Sequence, residues 1–246
     1  MYSILEHYLS TNHILMIGMI VTFILTFFLL EHPFSFLPSD QGRAFAVNGS
    51  LSKGKLRGVG FIFVLCFLIS SVLFLPLDVE YVIYGILLFA MMISGYLDDA
   101  SKTPWNEYKK GLIDLVISVV AVLTYMNFNS TTICFGADEI VIPKALFLIL
   151  GVILIWVSVN VTNCTDGVDG LCASLCSVTL LAFGVLFAPI LQKYAMANFL
   201  FLSVLFAYLY FNSSPSSMLM GDAGSRALGF YIAVIALKST HPFIYL

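Results

Sequence analysis

Eight long apolar runs divide this chain, and their lengths restrict the class of fold it can adopt. Most are close to the ~20 residues that a helix needs to cross the hydrocarbon core of a bilayer. The runs cover residues 13–30, 59–75, 81–97, 112–128, 143–159, 171–188, 195–211 and 227–237. The sequence therefore predicts an all-α integral membrane protein, a polytopic bundle of eight transmembrane helices with a partial ninth at 243–246.

The composition excludes a soluble domain. Hydrophobic residues make up 60% of the 246 residues, charged residues only 10%, and the mean hydropathy is +1.00. Soluble domains are about half apolar and a quarter charged. Lipid must therefore solvate many of these side chains, and we expect a single transmembrane domain over 1–246 with the lipid bilayer as its partner. No basic run indicates nucleic acid.

Basic residues are distributed unequally between the two sets of alternating connections. One set holds Arg43, Lys53, Lys55, Arg57, Lys102, Lys109, Lys110 and Arg226, and the other holds Lys144, Lys193 and Lys238. The positive-inside rule then predicts cytoplasmic loops near 31–57, 98–111, 160–170 and 212–226, with the N-terminus outside. On the opposite side, alternating polar and apolar residues at 129–142 indicate a small hairpin.

Three acidic segments, far apart in the sequence, fall on the predicted cytoplasmic side. Asp98 and Asp99 end the third run, Asp166 and Asp169 follow the fifth, and Asp222 precedes the eighth. Because the span count was made without reference to these acids, their common side is independent support for one site at that membrane face.

Asp98 and Asp99 stand at the unfavourable end of a helix. Carboxylates at a helix C-terminus meet the negative end of the macrodipole, at a cost of up to ~1 kcal/mol each. A cation, either Lys102 or a bound metal, would relieve this repulsion. The alternative is a solvated helix end that stops the span from sliding.

The segment 163–171 combines glycines with hydrogen-bonding side chains. Gly167 and Gly170 allow a close backbone approach to a ligand and positive φ. Asn163 and Thr165 are suited to a nucleobase or a sugar. The alternative is a simple turn in which one of the two aspartates caps the next helix.

Asp222 lies between Gly221 and Gly224 where a helix is predicted to begin. Free N–H groups at a helix start bind phosphate oxygens, and a carboxylate suits Mg²⁺, which commonly shares its ligands with substrate phosphates. Asp114 lies one turn inside a predicted span, where a carboxylate is a functional candidate by default. Water or Lys110 is its simpler expected partner.

These motifs resemble those of the polyprenyl-phosphate N-acetylhexosamine-1-phosphate transferases (glycosyltransferase family 4). Residues 98–102 read Asp-Asp-x-x-Lys, residues 163–171 read Asn-x-Thr-Asp-Gly-x-Asp-Gly-Leu, and Phe211, Asn212 and Pro215 precede Met-Gly-Asp-x-Gly-Ser at 220–225. Thr165 and Lys102 favour the members that act on UDP-N-acetylmuramoyl-pentapeptide over relatives that start teichoic acid or O-antigen synthesis.

The resemblance implies an activity and a set of site residues. Phospho-N-acetylmuramoyl-pentapeptide would pass from its UDP carrier to undecaprenyl phosphate at the bacterial inner membrane, giving lipid I and UMP for peptidoglycan synthesis. It implies catalytic roles for Asp98, Asp99 and Asp222, with Mg²⁺ on Asp222 and Asp99. It implies substrate binding by Lys102, Asn163, Asp166, Gly167, Asp169 and Asn212, and it is compatible with a homodimer.

Two departures from the family pattern leave other readings open. The first cytoplasmic loop carries Lys53, Lys55 and Arg57 in place of a Thr-Pro-Thr-Met-Gly-Gly stretch, so these cations are candidates to meet phosphates. Members of the family have about ten spans and a histidine-rich loop near the C-terminus, whereas eight spans and a partial ninth are predicted here. We therefore expect a C-terminally truncated copy, and a non-catalytic fragment is an alternative. A cation transporter would instead place its acids at mid-membrane on broken helices.

Overall fold

The computed structural model describes residues 1–32, 34–40, 53–101, 103, 105–135 and 138–241. Its helices are α1 Tyr2–Leu5, α2 Thr11–Glu31, α3 Gly60–Phe74, α4 Val79–Asp99, α5 Glu107–Phe128, α6 Lys144–Thr165, α7 Leu171–Leu186, α8 Gln192–Asn212 and α9 Gly221–Lys238. The eight predicted helices correspond to α2–α9 and are confirmed as helices. The predicted partial ninth helix lies outside the described residues. Several helices extend further than predicted, so their ends replace parts of the predicted loops.

Among the described residues, five helices are long and apolar enough to cross a membrane, namely α2, α4, α5, α6 and α8. The apolar helices α3 and α7 are shorter. Large apolar side chains on the outside of the bundle, such as Ile20, Val72 and Ile86, are exposed. Since lipid is the solvent that suits such a surface, the chain is a multi-pass membrane protein.

Helix α9 is the centre of the bundle. Every residue from Gly221 to Lys238 is buried, including three charged ones. The helix packs against α3, α4 and α6 and also contacts α5 and α7. The charged residues of α9 therefore have to find their partners on neighbouring helices.

Small residues bring the backbones around α9 close together. A Cβ added at Gly60 would lie 2.1 Å from the Gly224 nitrogen, and one added at Gly95 would lie 2.3 Å from the Asp222 carbonyl oxygen. On the other side, the Ser158 hydroxyl donates to the Gly229 carbonyl at 2.7 Å. Such small-residue packing is the usual way for membrane helices to approach closely. It places the start of α9 against the end of α4.

The opposite end of the bundle carries the predicted hairpin. Strands β1 Thr132–Phe135 and β2 Asp138–Val141 pair antiparallel, which confirms that prediction. Nearby, Lys238 Nζ lies 3.0 Å from Glu80 Oε2 and donates to Asn129 Oδ1 at 2.6 Å. Sequence reasoning missed this buried network because its members lie on separate helix ends with no shared motif.

We predict opposite effects for alanine at two glycines of α4. Gly85→Ala adds a methyl that meets only Leu68 Cδ2 at 3.8 Å, so it should stabilise the helix by up to about 1 kcal/mol. Gly95→Ala would force α4 away from α9 and should lower the denaturation midpoint in detergent. Equal midpoints for the two variants would contradict the close approach at Gly95.

Candidate active site

Asp98, in the last turn of α4, is buried and paired. Its Oδ2 lies 2.6 Å from Lys110 Nζ, and its Oδ1 accepts a hydrogen bond from the Trp105 backbone at 2.7 Å. Only 6% of Asp98 is exposed, so the alternative of a solvated helix end is wrong. Its cation is Lys110 of α5, whereas the predicted partner Lys102 lies outside the described residues.

Asp99 is held on both oxygens. Oδ1 lies 2.9 Å from Arg57 Nε, and Oδ2 accepts from the Ala223 backbone N–H at 3.1 Å. The Ala223 N–H is one of the donors at the start of α9 that the sequence suggested for phosphate. This donor is instead occupied by Asp99, which fixes the end of α4 to the start of α9.

Asp222 completes the carboxylate trio (Asp98, Asp99 and Asp222). Because α9 begins at Gly221, Asp222 lies in the first helical turn. Its Oδ2 is 3.3 Å from Lys110 Nζ, and its Oδ1 is 3.5 Å from Arg57 Nη2. Lys110 thus bridges Asp98 and Asp222, while Arg57 bridges Asp99 and Asp222.

Arg57 reaches the trio from the first loop. Its segment is tied to the connection before α9, since Leu219 N donates to Leu56 O at 2.8 Å and Gly60 N donates to Met220 O at 3.1 Å. Burial alone would lower the pKa of Arg57, but the charges of the surrounding carboxylates, Asp99 first, raise it above its ordinary value. Arg57 is therefore a permanent cation of the site, a role the sequence indicated only as one of three basic candidates.

The segment between α6 and α7 joins the site through Asn163. Its Oδ1 accepts from the Ser225 hydroxyl at 2.7 Å, one turn beyond Asp222. Gly170 has φ +75°, as predicted, whereas Gly167 is not among the glycines with positive φ. The N-cap of α7 is Gly170 without a side-chain cap, and Asp166 ends α6. The alternative of an aspartate N-cap is therefore wrong.

Asn212 fixes the backbone around this segment. Its Oδ1 accepts from Gly170 N at 3.0 Å, and its Nδ2 donates to Met218 O at 2.9 Å. Both ends of the amide are therefore used within the protein. Asn212 shapes the site from behind, and its predicted contact with substrate stays a prediction.

Asp169 contacts Lys55, in the same segment as Arg57. Its Oδ2 accepts from Ser216 N at 3.0 Å and lies 3.7 Å from Lys55 Nζ. Burial raises the pKa of Asp169, but the Ser216 hydrogen bonds and the Lys55 charge outweigh it and leave the pKa below its usual value. Lys55 and Arg57, two residues apart, thus connect Asp169 with the carboxylate trio. By contrast, the Thr165 hydroxyl donates back to Val161 O within α6.

The site is suited to a divalent cation bound through one carboxylate. In the part of the chain that the structure describes, three carboxylates face two cations, and Asp40 adds a fourth acid 3.8 Å from Arg57, so the described side chains carry an excess of negative charge. Within the described residues, no three acidic, His or Cys side chains form a preformed metal cluster. Mg²⁺ does not need one, because it often takes one or two carboxylates, water and substrate phosphates. Asp222 is the best-suited ligand, since its contacts are longer than the ~2.7–2.9 Å of close charged hydrogen bonds.

Asp114 pairs with a residue of α9 and not with Lys110. Its carboxylate contacts the guanidinium of Arg226, and the two residues are 2% and 1% exposed. Arg226 is therefore a buried residue of α9, although the sequence placed it on the cytoplasmic rim. The simple expectation for Asp114 was wrong because the sequence does not reveal which helix faces α5.

Comparisons with known proteins identify the family of this chain. Residues 81–240 match the model of Glycosyl transferase family 4. Phospho-N-acetylmuramoyl-pentapeptide-transferase of Treponema pallidum (strain Nichols) is 35% identical over 94% of this chain and 69% of its own length. The proteins of that name from Halalkalibacterium halodurans and Dictyoglomus turgidum are 29% and 26% identical, over 93% and 92% of this chain and 76% and 74% of their own lengths. The chain therefore belongs to glycosyl transferase family 4, as a relative of its phospho-N-acetylmuramoyl-pentapeptide-transferases.

Proposed function

We propose that this protein transfers phospho-N-acetylmuramoyl-pentapeptide from its UDP carrier to undecaprenyl phosphate, producing lipid I and UMP. The observation that carries the proposal is the carboxylate trio, which α4 and α9 bring together. Arg57 and Lys110 each form ion pairs with two of its members. The names of the relatives support the choice of phospho-sugar.

The position of the trio at one end of the bundle suits two substrates from different phases. The nucleotide sugar is soluble in water, whereas the polyprenyl chain is soluble only in lipid. We place this end at the cytoplasmic face of a bacterial inner membrane because most of the basic residues lie in its connections. A homodimer, with which the resemblance is compatible, stays a prediction.

We propose a single displacement at the β-phosphorus of the UDP-sugar. An oxygen of the lipid phosphate forms the new bond to phosphorus, and the bond to the bridging oxygen breaks, so that UMP leaves with that electron pair. Asp98, oriented by Lys110 and the Trp105 N–H, aligns the lipid phosphate and accepts its proton if one is present. Arg57 and Lys110 balance the charge of the diphosphate.

Asp222 is the proposed ligand for Mg²⁺, with Asp99 beside it. When bound, Mg²⁺ neutralises charge on the diphosphate and on the leaving group. Asp99 keeps the start of α9 in place through its hydrogen bond from Ala223. Asp99 thus has an orientation role in addition to its pairing with Arg57.

The proposed contacts for the nucleotide are Asn163, Asp166, Gly167 and Asp169 of the segment between α6 and α7, together with Lys102. An alanine Cβ at Gly167 would meet only the Cys164 carbonyl oxygen, at 3.8 Å, so space is open above this residue. The hydrogen bond from Ser225 to Asn163 holds the segment between α6 and α7 one helical turn from Asp222. Sugar and diphosphate would then extend toward the trio.

We predict that Asp222→Asn abolishes most of the activity by removing the metal ligand. UMP release at saturating substrate should fall on the order of 10²-fold or more, as when a charge-stabilising group is lost. Mn²⁺ binding, measured by electron paramagnetic resonance in detergent, should weaken in parallel. Near-normal release together with unchanged Mn²⁺ binding would defeat the assignment.

Asp78→Asn is the matched control for this variant. Asp78 caps α4 at the opposite end of the bundle and pairs with Lys193, and asparagine is an equally good helix cap. The substitution removes the same charge far from the trio, so UMP release and Mn²⁺ binding should match those of the parent protein.

We predict that the protein discriminates between nucleotide sugars. UMP release should require UDP-N-acetylmuramoyl-pentapeptide and undecaprenyl phosphate together, and UDP-N-acetylglucosamine should not replace the muramoyl substrate. The opposite preference would identify a related hexosamine-phosphate transferase. Binding of either nucleotide sugar without any UMP release would indicate a non-catalytic piece of a longer enzyme.

A further inference from the structure

Two pairs of oppositely charged residues face each other between α5 and α9. Lys110 and Asp114 are four residues apart on α5, and Asp222 and Arg226 are four apart on α9. Residues with this spacing lie one above the other on a helix. Lys110 Nζ is 3.3 Å from Asp222 Oδ2, and the Asp114 carboxylate contacts Arg226. These four residues form a charge ladder with two rungs.

The order of charges allows only one register of the ladder. Both helices begin at the site end, and one turn separates the rungs by ~6 Å along the axis. If α9 slipped one turn in one direction, Arg226 would face Lys110. In the other direction, Asp222 would face Asp114. Both shifts place like charges together in a medium of low dielectric constant, where their repulsion is strong.

The inner rung is the more deeply buried one. Asp114 and Arg226 are almost completely enclosed, whereas the Lys110 side chain is 17% exposed. In the described part of the chain, the Nε and Nη1 atoms of Arg226 have no hydrogen-bond partner. Asp114 therefore supplies the main compensation for the guanidinium charge one turn below Asp222.

We infer that Asp114 and Arg226 are positioning residues for Asp222. The inner rung sets the depth of α9 relative to α5, and Asp114 keeps the Arg226 charge from competing with a cation at Asp222. This inference rests on the proposed function of Asp222 as the metal ligand. Neither residue needs to touch a substrate.

A second buried pair at the other end of α9 provides a comparison within the same helix. Lys238 contacts Glu80 of α4, so it also anchors a buried charge of α9, but it lies at the end away from the trio. A purely structural role for Arg226 would make the two pairs equivalent in every measurement. A positioning role would affect cation binding through Arg226 alone.

The test uses the full chain in detergent with Asp114→Asn, Arg226→Met and the double variant Asp114→Leu/Arg226→Met. Mn²⁺ affinity is measured by electron paramagnetic resonance, UMP release by kcat, and stability by the denaturation midpoint. We expect Asp114→Asn to weaken Mn²⁺ binding at least tenfold, because the uncompensated guanidinium then competes at Asp222.

The double variant separates register from stability. Apolar replacement of a buried ion pair often leaves stability unchanged or increased, so its midpoint should equal or exceed that of the parent. Without the inner rung, kcat should still fall about tenfold. A double variant with parental Mn²⁺ affinity and kcat would show that the pair only stabilises the bundle, and would overturn the inference.

Lys238→Met is the control for loosening of α9. It should lower the midpoint as Arg226→Met does, yet leave Mn²⁺ affinity unchanged. Equal Mn²⁺ affinities of Arg226→Met and Lys238→Met overturn the inference. A parent protein that binds no Mn²⁺ overturns both the inference and the metal assignment, whereas Mn²⁺ binding without UMP release defeats only the transfer reaction and leaves the affinity comparison decisive.

Discussion

The burial of α9 is the constraint on which the rest of this structure depends. The helix carries Asp222, Arg226 and Lys238 into the centre of the bundle, where an unpaired charge is very costly. Each of these residues therefore requires an opposite charge on a neighbouring helix or loop. The partners from α4, α5 and the first loop meet around α9 for that reason. The candidate active site consists of the ion pairs around the first turn of α9, at one end of the bundle.

Close backbone contact makes this pairing possible. Gly60 and Gly95 allow α3 and α4 to approach the first turn of α9, so that Asp99 can accept from the Ala223 backbone. Among the residues that the structure describes, the same proximity leaves more carboxylates than cations at the site. This surplus of negative charge supports the proposed binding of a divalent cation, while the buried pairs deeper in the bundle stay neutral overall.

The sequence by itself determined the membrane class, the eight long helices and the hairpin. These features depend on local properties. The length and apolarity of a segment decide whether it can cross lipid, and the alternation of polar and apolar residues indicates the short strands of the hairpin. The family motifs also identified Asp98, Asp99 and Asp222 before any geometry was known. The number of spans between these residues predicts that they lie at the same end of the bundle, and this prediction does not depend on which helices are neighbours.

Only the tertiary structure decided which charge meets which. Lys110 and Arg57 hold the trio, Asp114 pairs with Arg226, and the alternative of an aspartate cap on α7 does not occur. No local pattern contains this information, because an ion pair requires two side chains within about 4 Å, and that distance is set by the packing of helices far apart in the sequence. The sequence supplied the charges, and the crossing of the glycine-lined helices selected their partners.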